Sequence, residues 1–518
     1  MTSAATGPAG VGLRSDRGPV LLALMLSVAL VALDSTIIAT AVPSIVRQLG
    51  GFSQFPWLFS IYLLTQAVTV PLYGKFADMR GRRPVMLLGI SVFLIGSVLC
   101  GLAWSMPALI VFRAVQGVGA GAVQPMSMTI VGDMYSVEER ARVQGYIASV
   151  WGIASVLGPT LGGVFSEYLS WRWIFFVNIP VGIAAAVMLL RHFSEDVVPR
   201  KHRIDFLGAG LLTGGCSLLI LGLLEGGVGW AWSSTWSVLT LSLGVVLTVG
   251  FVLVERRAKE PVLPLWVFTR RTLVSGNLAA AAIGALLIGL SSFVPTYVQG
   301  VLGTGPLVAG FTLAALTVGW PLTAAFSGRL YMRVGFRDTA LAGSGIVVAG
   351  MLAMLLLSPY SMVWQVAGAC FVVGAGLGLT NSPVVVAIQS VVGWDRRGVV
   401  TGTNMFSRSI GSAVGAAVLG AVANATLANR FAHPPDALVG KLPATVDATR
   451  LVLGGGASES SAVEAFVRAA LFDATHNVFI VLAGVAVAGW LVLSIMPRKV
   501  VPLVFEDEPR AVPSDAAS

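Results

Sequence analysis

GKFADMRGRR, residues 74–83, and GRLYMRVGFR, residues 328–337, are two versions of one loop, and their recurrence decides the fold. Gly74 answers to Gly328 and Gly81 to Gly335. The correspondence continues downstream, where Arg140, Gly145, Ala154 and Gly158 fall 257 positions before Arg397, Gly402, Gly411 and Gly415. A long internal repeat implies a duplicated unit that packs against its copy. The halves differ at one chemically important place, because Met332 stands where the first copy has Asp78.

What is duplicated follows from composition. Apolar residues make up 56% of the 518 and charged residues 11%, whereas a soluble domain carries about a quarter charged. The chain reads as an integral membrane protein. Apolar spans of membrane length fall near 20–42, 57–73, 85–104, 107–132, 144–166, 174–190, 207–224 and 236–254, then 273–298, 307–327, 339–358, 362–391, 401–423 and 474–496. With the N-terminus in the cytoplasm, 25 of the 33 Lys and Arg lie in cytoplasmic segments and 6 in external ones, leaving Arg113 and Arg408 inside spans. That asymmetry is the positive-inside pattern. It accounts for the net charge of +9 without a nucleic-acid surface.

The expected fold is therefore all-α, with fourteen transmembrane helices in two six-helix bundles and an inserted helix pair. Residues 1–192 form the first bundle and 193–271 carry the inserted helices 7 and 8 with their flanking loops. Residues 272–497 form the second bundle, including a long external loop at 424–472, and 498–518 form a cytoplasmic tail. Within that loop SAVEAFVRAALF reads as an amphipathic interfacial helix. Arg14 and Arg17 ahead of an apolar run resemble a signal peptide, but Asp34 interrupts the run and cleavage would leave an odd helix count. Cys100, Cys216 and Cys370 sit within spans as packing residues and suggest neither disulfides nor a metal site.

Asp34, in the middle of the first span, is the most informative single residue. A charge at the bilayer centre costs about 2.5 to 3.5 kcal/mol on insertion scales, which a neutral polar residue would avoid. Arg113 on helix 4 is its natural partner, and Arg408 on helix 13 is a second candidate approaching from the other half. Burial raises a carboxylate's proton affinity and a nearby cation lowers it, so small helix movements would switch it.

Several motifs resemble those of a known family. The loop from Gly74, with Asp78, Gly81, Arg82 and Arg83, looks like the signature loop of the major facilitator superfamily. LIVFRAVQGVGAG from Leu109 resembles its proton-coupled helix 4 motif, and GPTLGG from Gly158 its antiporter helix 5 motif. LDSTIIATAVP from Leu33 and WRWIFFVNIPVG from Trp171 are similar to motifs of the fourteen-helix drug:proton antiporter branch. The resemblance covers nearly the whole chain and implies a proton-coupled exporter in a bacterial inner membrane, monomeric, with both termini cytoplasmic. It implies no cofactor and no enzymatic activity. The loop departs from the family pattern at Met79, where a basic residue is preferred.

The motifs also have physical readings. Asp78 can face the positive end of a neighbouring helix while Arg82 and Arg83 face the cytoplasm, making a latch between the halves. Gly158, Gly162 and Gly163, with Ala154 a turn earlier, give helix 5 a small-residue stripe that permits close helix approach. Pro159 is expected to bend it. In the family this helix seals the central cavity against leak. Gly117, Gly119 and Gly121 lie in an apolar helix with no preceding strand and are not a dinucleotide loop.

Candidate cavity residues are Gln66, Trp151, Phe293, Tyr297, Gln299, Trp320, Asn381 and Gln389, aromatic and neutral polar groups suited to amphipathic ligands. Glu225 closes helix 7 near the external surface and is expected to be solvated, and His476 opens helix 14 as a structural residue. The expected partners are protons, membrane lipids and amphipathic or cationic small molecules. One proton crossing about 100 mV supplies roughly 2.3 kcal/mol, enough for more than a tenfold gradient at about 1.4 kcal/mol per decade. No Walker-type loop is present to bind ATP. Two alternatives stay open: export of one lipid, siderophore or secondary metabolite, and a transporter-shaped sensor or assembly factor that moves nothing.

Overall fold

The computed structural model of the protein describes residues 12–49, 57–195, 205–226, 230–258, 263, 265–435 and 461–500. Apart from two short 3-10 turns, Leu265–Phe268 and Trp394–Arg396, the described residues form fourteen helical segments, which pair one for one with the fourteen expected spans. In the first half these are α1 (Gly18–Leu49), α2 (Trp57–Arg80), α3 (Arg82–Gly101), α4 (Met106–Met134), α5 (Val137–Tyr168) and α6, a short turn Trp173–Phe176 running into Asn178–His192. The inserted pair is α7 (Phe206–Glu225) and α8 (Thr235–Glu255). The second half comprises α9 (Arg271–Gly300), α10 (Pro306–Val334), α11 (Phe336–Leu355), α12 (Val363–Ser390), α13 (Arg397–Ala432) and α14 (Ser461–Ser494). Twelve of the fourteen are long and apolar enough to cross a membrane. The other two are α2, diluted by Thr65, Gln66 and Thr69, and α7, whose apolar run Leu207–Leu223 is shorter.

The repeat is visible in backbone geometry. Gly81 joins α2 to α3 at φ 98° and ψ 161°, and Gly335 joins α10 to α11 at φ 94° and ψ 162°. A positive φ of that size favours glycine, which explains why these loops keep glycine at matching positions. Packing repeats as well. In the first half α1 packs on α5 and α6, and α4 on α2 and α3. In the second half α9 packs on α13 and α14, and α12 on α10 and α11. Two seams join the halves, α2 against α13 and α5 against α10. The inserted α7 packs on both α2 and α13, burying Leu212, Cys216 and Ile220 among Leu64, Val68, Met405 and Phe406.

Three expectations are corrected. SAVEAFVRAALF does not form a separate interfacial helix but is the first three turns of the 34-residue α14. His476 therefore lies inside that helix, its ring 5.4 Å from that of Phe472. The 424–472 segment is also less loop-like than expected, because α13 continues to Ala432 and α14 begins at Ser461. The expected cytoplasmic tail falls outside the described residues beyond Val500. Cys100, Cys216 and Cys370 are buried free thiols.

Candidate functional site

Asp34 and Arg113 are each 1% exposed, and the two face each other across α1 and α4 with Arg113 Nη1 donating to Asp34 Oδ2 at 2.6 Å. Neutral amides complete the carboxylate's shell: Gln116 Nε2 donates to Oδ1 at 2.8 Å and Asn178 Nδ2 at 3.4 Å. The guanidinium is held from several sides, donating to Leu58 O at 3.2 Å and Gln116 Oε1 at 2.7 Å and lying 4.1 Å over the Tyr62 ring. Ser97 accepts from both Gln116 and Asn178 and donates to Phe175 O. A buried ion pair is stable only when its remaining donors and acceptors are satisfied, and here α1, α2, α3, α4 and α6 all contribute. Leu58 is the second residue of α2 and Ser97 lies in the last turn or so of α3. The cluster thus runs from the middle of α1 to within one to two turns of the end of the molecule that carries the odd-numbered loops.

Every group that the described residues present to Asp34 comes from the first half. Among the described residues Arg408 makes no bond to it, so the expectation that this arginine reaches Asp34 is not met in this conformation. Gln116 and Asn178 were not singled out from sequence, although both lie inside the motifs quoted above.

At the opposite, even-loop end the halves are locked together. Asp78 accepts from the backbone N–H groups of Gly398 at 2.9 Å and Val399 at 2.8 Å, which are the first free amides of α13. A carboxylate there is favoured by the partial positive charge of the helix N-terminus. Arg82 donates to Asp78 Oδ1 at 2.9 Å, ion-pairs with Asp133 at 3.0 Å and stacks 3.8 Å from the Trp394 ring. Asp133 in turn pairs with Arg397 at 2.9 Å, and Arg140 and Arg397 both donate to Gly132 O. Gly74 permits the approach, since a Cβ there would lie 2.7 Å from Gly398 O. Two readings change. Arg82 is fully buried rather than facing the cytoplasm, and Arg83 belongs to its own half, bonding Glu195 and Leu190 O at the end of α6.

Further links tighten the same end: Ser382 donates to Gln144 at 2.8 Å, Gln389 to Met128 O at 3.2 Å, and Tyr331 to Val137 O. Further toward the odd-loop end, Ser155 and Thr317 form a longer side-chain hydrogen bond between the halves at 3.4 Å. The molecule is closed at its even-loop end.

The small-residue stripe on α5 packs within a half rather than across the centre. A Cβ on Gly158 would lie 2.0 Å from Thr36 Oγ1, and Thr36 donates to Ala154 O, so this face receives α1. Gly411 and Gly415 receive α9 in the same manner, at Ala281 and Ala285. Gly162 is buried, Gly163 faces open space, and the side chain of Pro159 lies outside the described set.

The expected cavity residues divide. Gln66, Gln299 and Asn381 are half-buried, Trp151 rests against the first-half core, and Phe293 and Trp320 rest against the second-half core. Tyr297 is not in a cavity: it is 1% exposed, packed against Phe472 and Phe479, and donates to Ser358 O. Gln389 belongs to the closed seam, bonding Met128 O and Thr401. Glu225 is buried at 6% exposure instead of solvated, at the end of α7 outside both halves.

Residues 24–416 match the family profile described as Major Facilitator Superfamily. The chain is 32% identical over 521 residues to Multidrug transporter protein MdtP of Bacillus subtilis (strain 168), covering 96% of each chain. It is 34% identical over 416 residues to Multidrug resistance protein 3 of the same organism, covering 80% of each. Among solved structures, the human organic anion transporter MFSD10 superimposes with a TM-score of 0.61 at 15% identity, covering 92% of this chain and 99% of that one. That last likeness speaks to the fold alone.

Proposed function

The chain belongs to the major facilitator superfamily, and from that premise we propose that it is a proton-driven exporter of amphipathic small molecules, working by alternating access. It is a multi-pass membrane transporter and not an enzyme, and its relatives in Bacillus subtilis are multidrug transporters. The basic even-numbered loops support a cytoplasmic placement of the latched end, and on that reading the conformation is outward-facing. With α2 and α7 counted as spans, fourteen helices cross a bacterial inner membrane.

The observation that carries the reading is the sealed Asp34–Arg113 pair near the external end. A proton reaching Asp34 cancels the attraction that holds Arg113, and α1 and α4 lose the contact that fixes their spacing. Because the pair lies inside one half, coupling acts by reshaping that bundle rather than by exchanging charges between halves. The latch then transmits the change, since α2, carrying Asp78, and α4, carrying Asp133, both end at the cytoplasmic seam.

The test is flux in proteoliposomes under an imposed pH gradient, with an amphipathic dye as cargo. Dye movement that follows the gradient and collapses with a protonophore is the expected result. Flux indifferent to the gradient would remove proton drive, and no flux of any amphiphile would favour a non-transporting role.

A further inference from the structure

Arg408 is the one charged residue in the interior of the four second-half helices that line the space between the halves. Helices α9, α10, α12 and α13 contain no Asp or Glu at all, and their other arginines stand at helix ends. Arg408 is half-buried eleven residues into α13, about 16 Å along the helix from Arg397. Its guanidinium makes no hydrogen bond, ion pair or ring contact among the described residues. Asp34, the acid in the middle of the first span, is already paired with Arg113.

Helix geometry shows where the side chain faces. With about 100° between successive residues, Asn404, Gly411 and Gly415 define the side of α13 that meets α9, and Gly398 and Gly402 the side that meets α2. Val414 and Val418 are exposed on the outer side. Arg408 falls on the arc from α9 to α2 that avoids those valines. Thr401, two turns lower on the same arc, meets Gln389, which reaches α4 of the other half. The arc therefore looks into the space between the halves. One turn below Arg408, Asn277 keeps a buried amide nitrogen without a partner beside Asn404.

A guanidinium stays charged at any physiological pH, and an unpaired one inside a membrane protein is costly until an anion joins it. No residue of the second-half inner helices supplies one. We propose that Arg408 is the recognition point for the oxyanion of an amphiphilic substrate, a carboxylate, sulfonate or phosphate on an apolar body. This narrows the efflux reading, on which it rests, to anionic or zwitterionic cargo and away from simple cations. Gly284 lets α13 sit close to α9 at this level, where Ser412 donates to Gly284 O.

The test measures binding rather than flux, which keeps its failure separate from failure of the export reading. Full-length protein in phosphatidylcholine nanodiscs is titrated with 11-(dansylamino)undecanoic acid and with the corresponding carboxamide, which differ only in charge. The wild type is expected to bind the acid about tenfold or more tightly than the amide, the discrimination a charge-assisted bond provides. Arg408→Gln brings the ratio to about one, and Arg408→Lys restores a clear preference, which guards against mere misfolding. Added phosphatidylglycerol that competes with the acid only when Arg408 is present identifies a lipid headgroup as the occupant, and no competition identifies a free organic acid. Equal binding of acid and amide by the wild type, or a preference that survives Arg408→Gln, overturns the proposal.

Discussion

Replacing Asp78 with Asn should open the latched, even-loop end. The carboxylate accepts three hydrogen bonds, two of them from the α13 amides across the seam and one from Arg82. Asn keeps one acceptor oxygen and loses the charge. Hydrogen bonds to charged groups are worth about 1.5 to 3 kcal/mol against about 0.5 to 1.5 for neutral ones, and an anion at a partly buried helix N-terminus contributes up to about 2 kcal/mol. Arg82 is not orphaned, because Asp133 and Trp394 still hold it. The net loss to the latch is about 3 kcal/mol, a shift of roughly 150-fold, which would take a closed population of about 99 in 100 down to about 40 in 100. Spin labels at the exposed Arg142 of α5 and Arg329 of α10 report this as a second, longer distance in double electron–electron resonance. The native cysteines are buried and should stay unlabelled. Asp338→Asn removes a weak exposed pair, Asp338–Arg498 at 3.9 Å, and serves as the control. A distance distribution unchanged in Asp78→Asn, or equally changed in Asp338→Asn, would refute the assignment of the latch.

Asp34→Asn should abolish substrate-driven proton release, and release at the wild-type level would take Asp34 out of the coupling role. Arg113→Gln leaves a buried carboxylate short of its cation and should destabilise the protein by about 3 to 5 kcal/mol. Combining it with Asp34→Asn should cost less than the two single changes added, as read from thermal melts in detergent, and strict additivity would argue that the two groups do not interact. Gly158→Ala drives a methyl against Thr36 on α1 and should lower the melting temperature by several degrees, at about 1 to 3 kcal/mol for overpacking. Gly163→Ala has open space and should be close to neutral, and a reversed order would contradict the α1–α5 packing described.

The helices, the duplication and the Asp34–Arg113 pair were legible because each rests on a rule the bilayer enforces. Spans must be apolar, the two Gly81-type junctions need a positive φ, and a buried charge requires a partner. Gln116 and Asn178 were harder to see, since neutral amides carry no comparable obligation to be paired with a particular residue. Asp133 carries no motif signal of its own, and its role follows only from its place between Arg82 and Arg397 at the end of α4. The destinations of Tyr297, Gln389 and Glu225 were misread for a different reason. In a membrane protein the face toward lipid and the face toward the core are both apolar, so periodicity does not say which way a given side chain turns. Arg408 escaped its expected partner for the same reason, its face being set by the neighbouring glycines.

The inserted pair leaves the transporter lopsided. Two vertical crevices separate the halves, and α7 roofs one of them by resting on α2 and α13 together. The other, between α5 and α10, has no such cover among the described residues, and α5 presents Ile153, Leu157 and Val164 there to the hydrocarbon. A greasy molecule wandering in from the surrounding leaflet consequently meets a walled flank on one side and a bare one on the other, so sideways entry has a handedness that a twelve-helix version of the same bundle would lack.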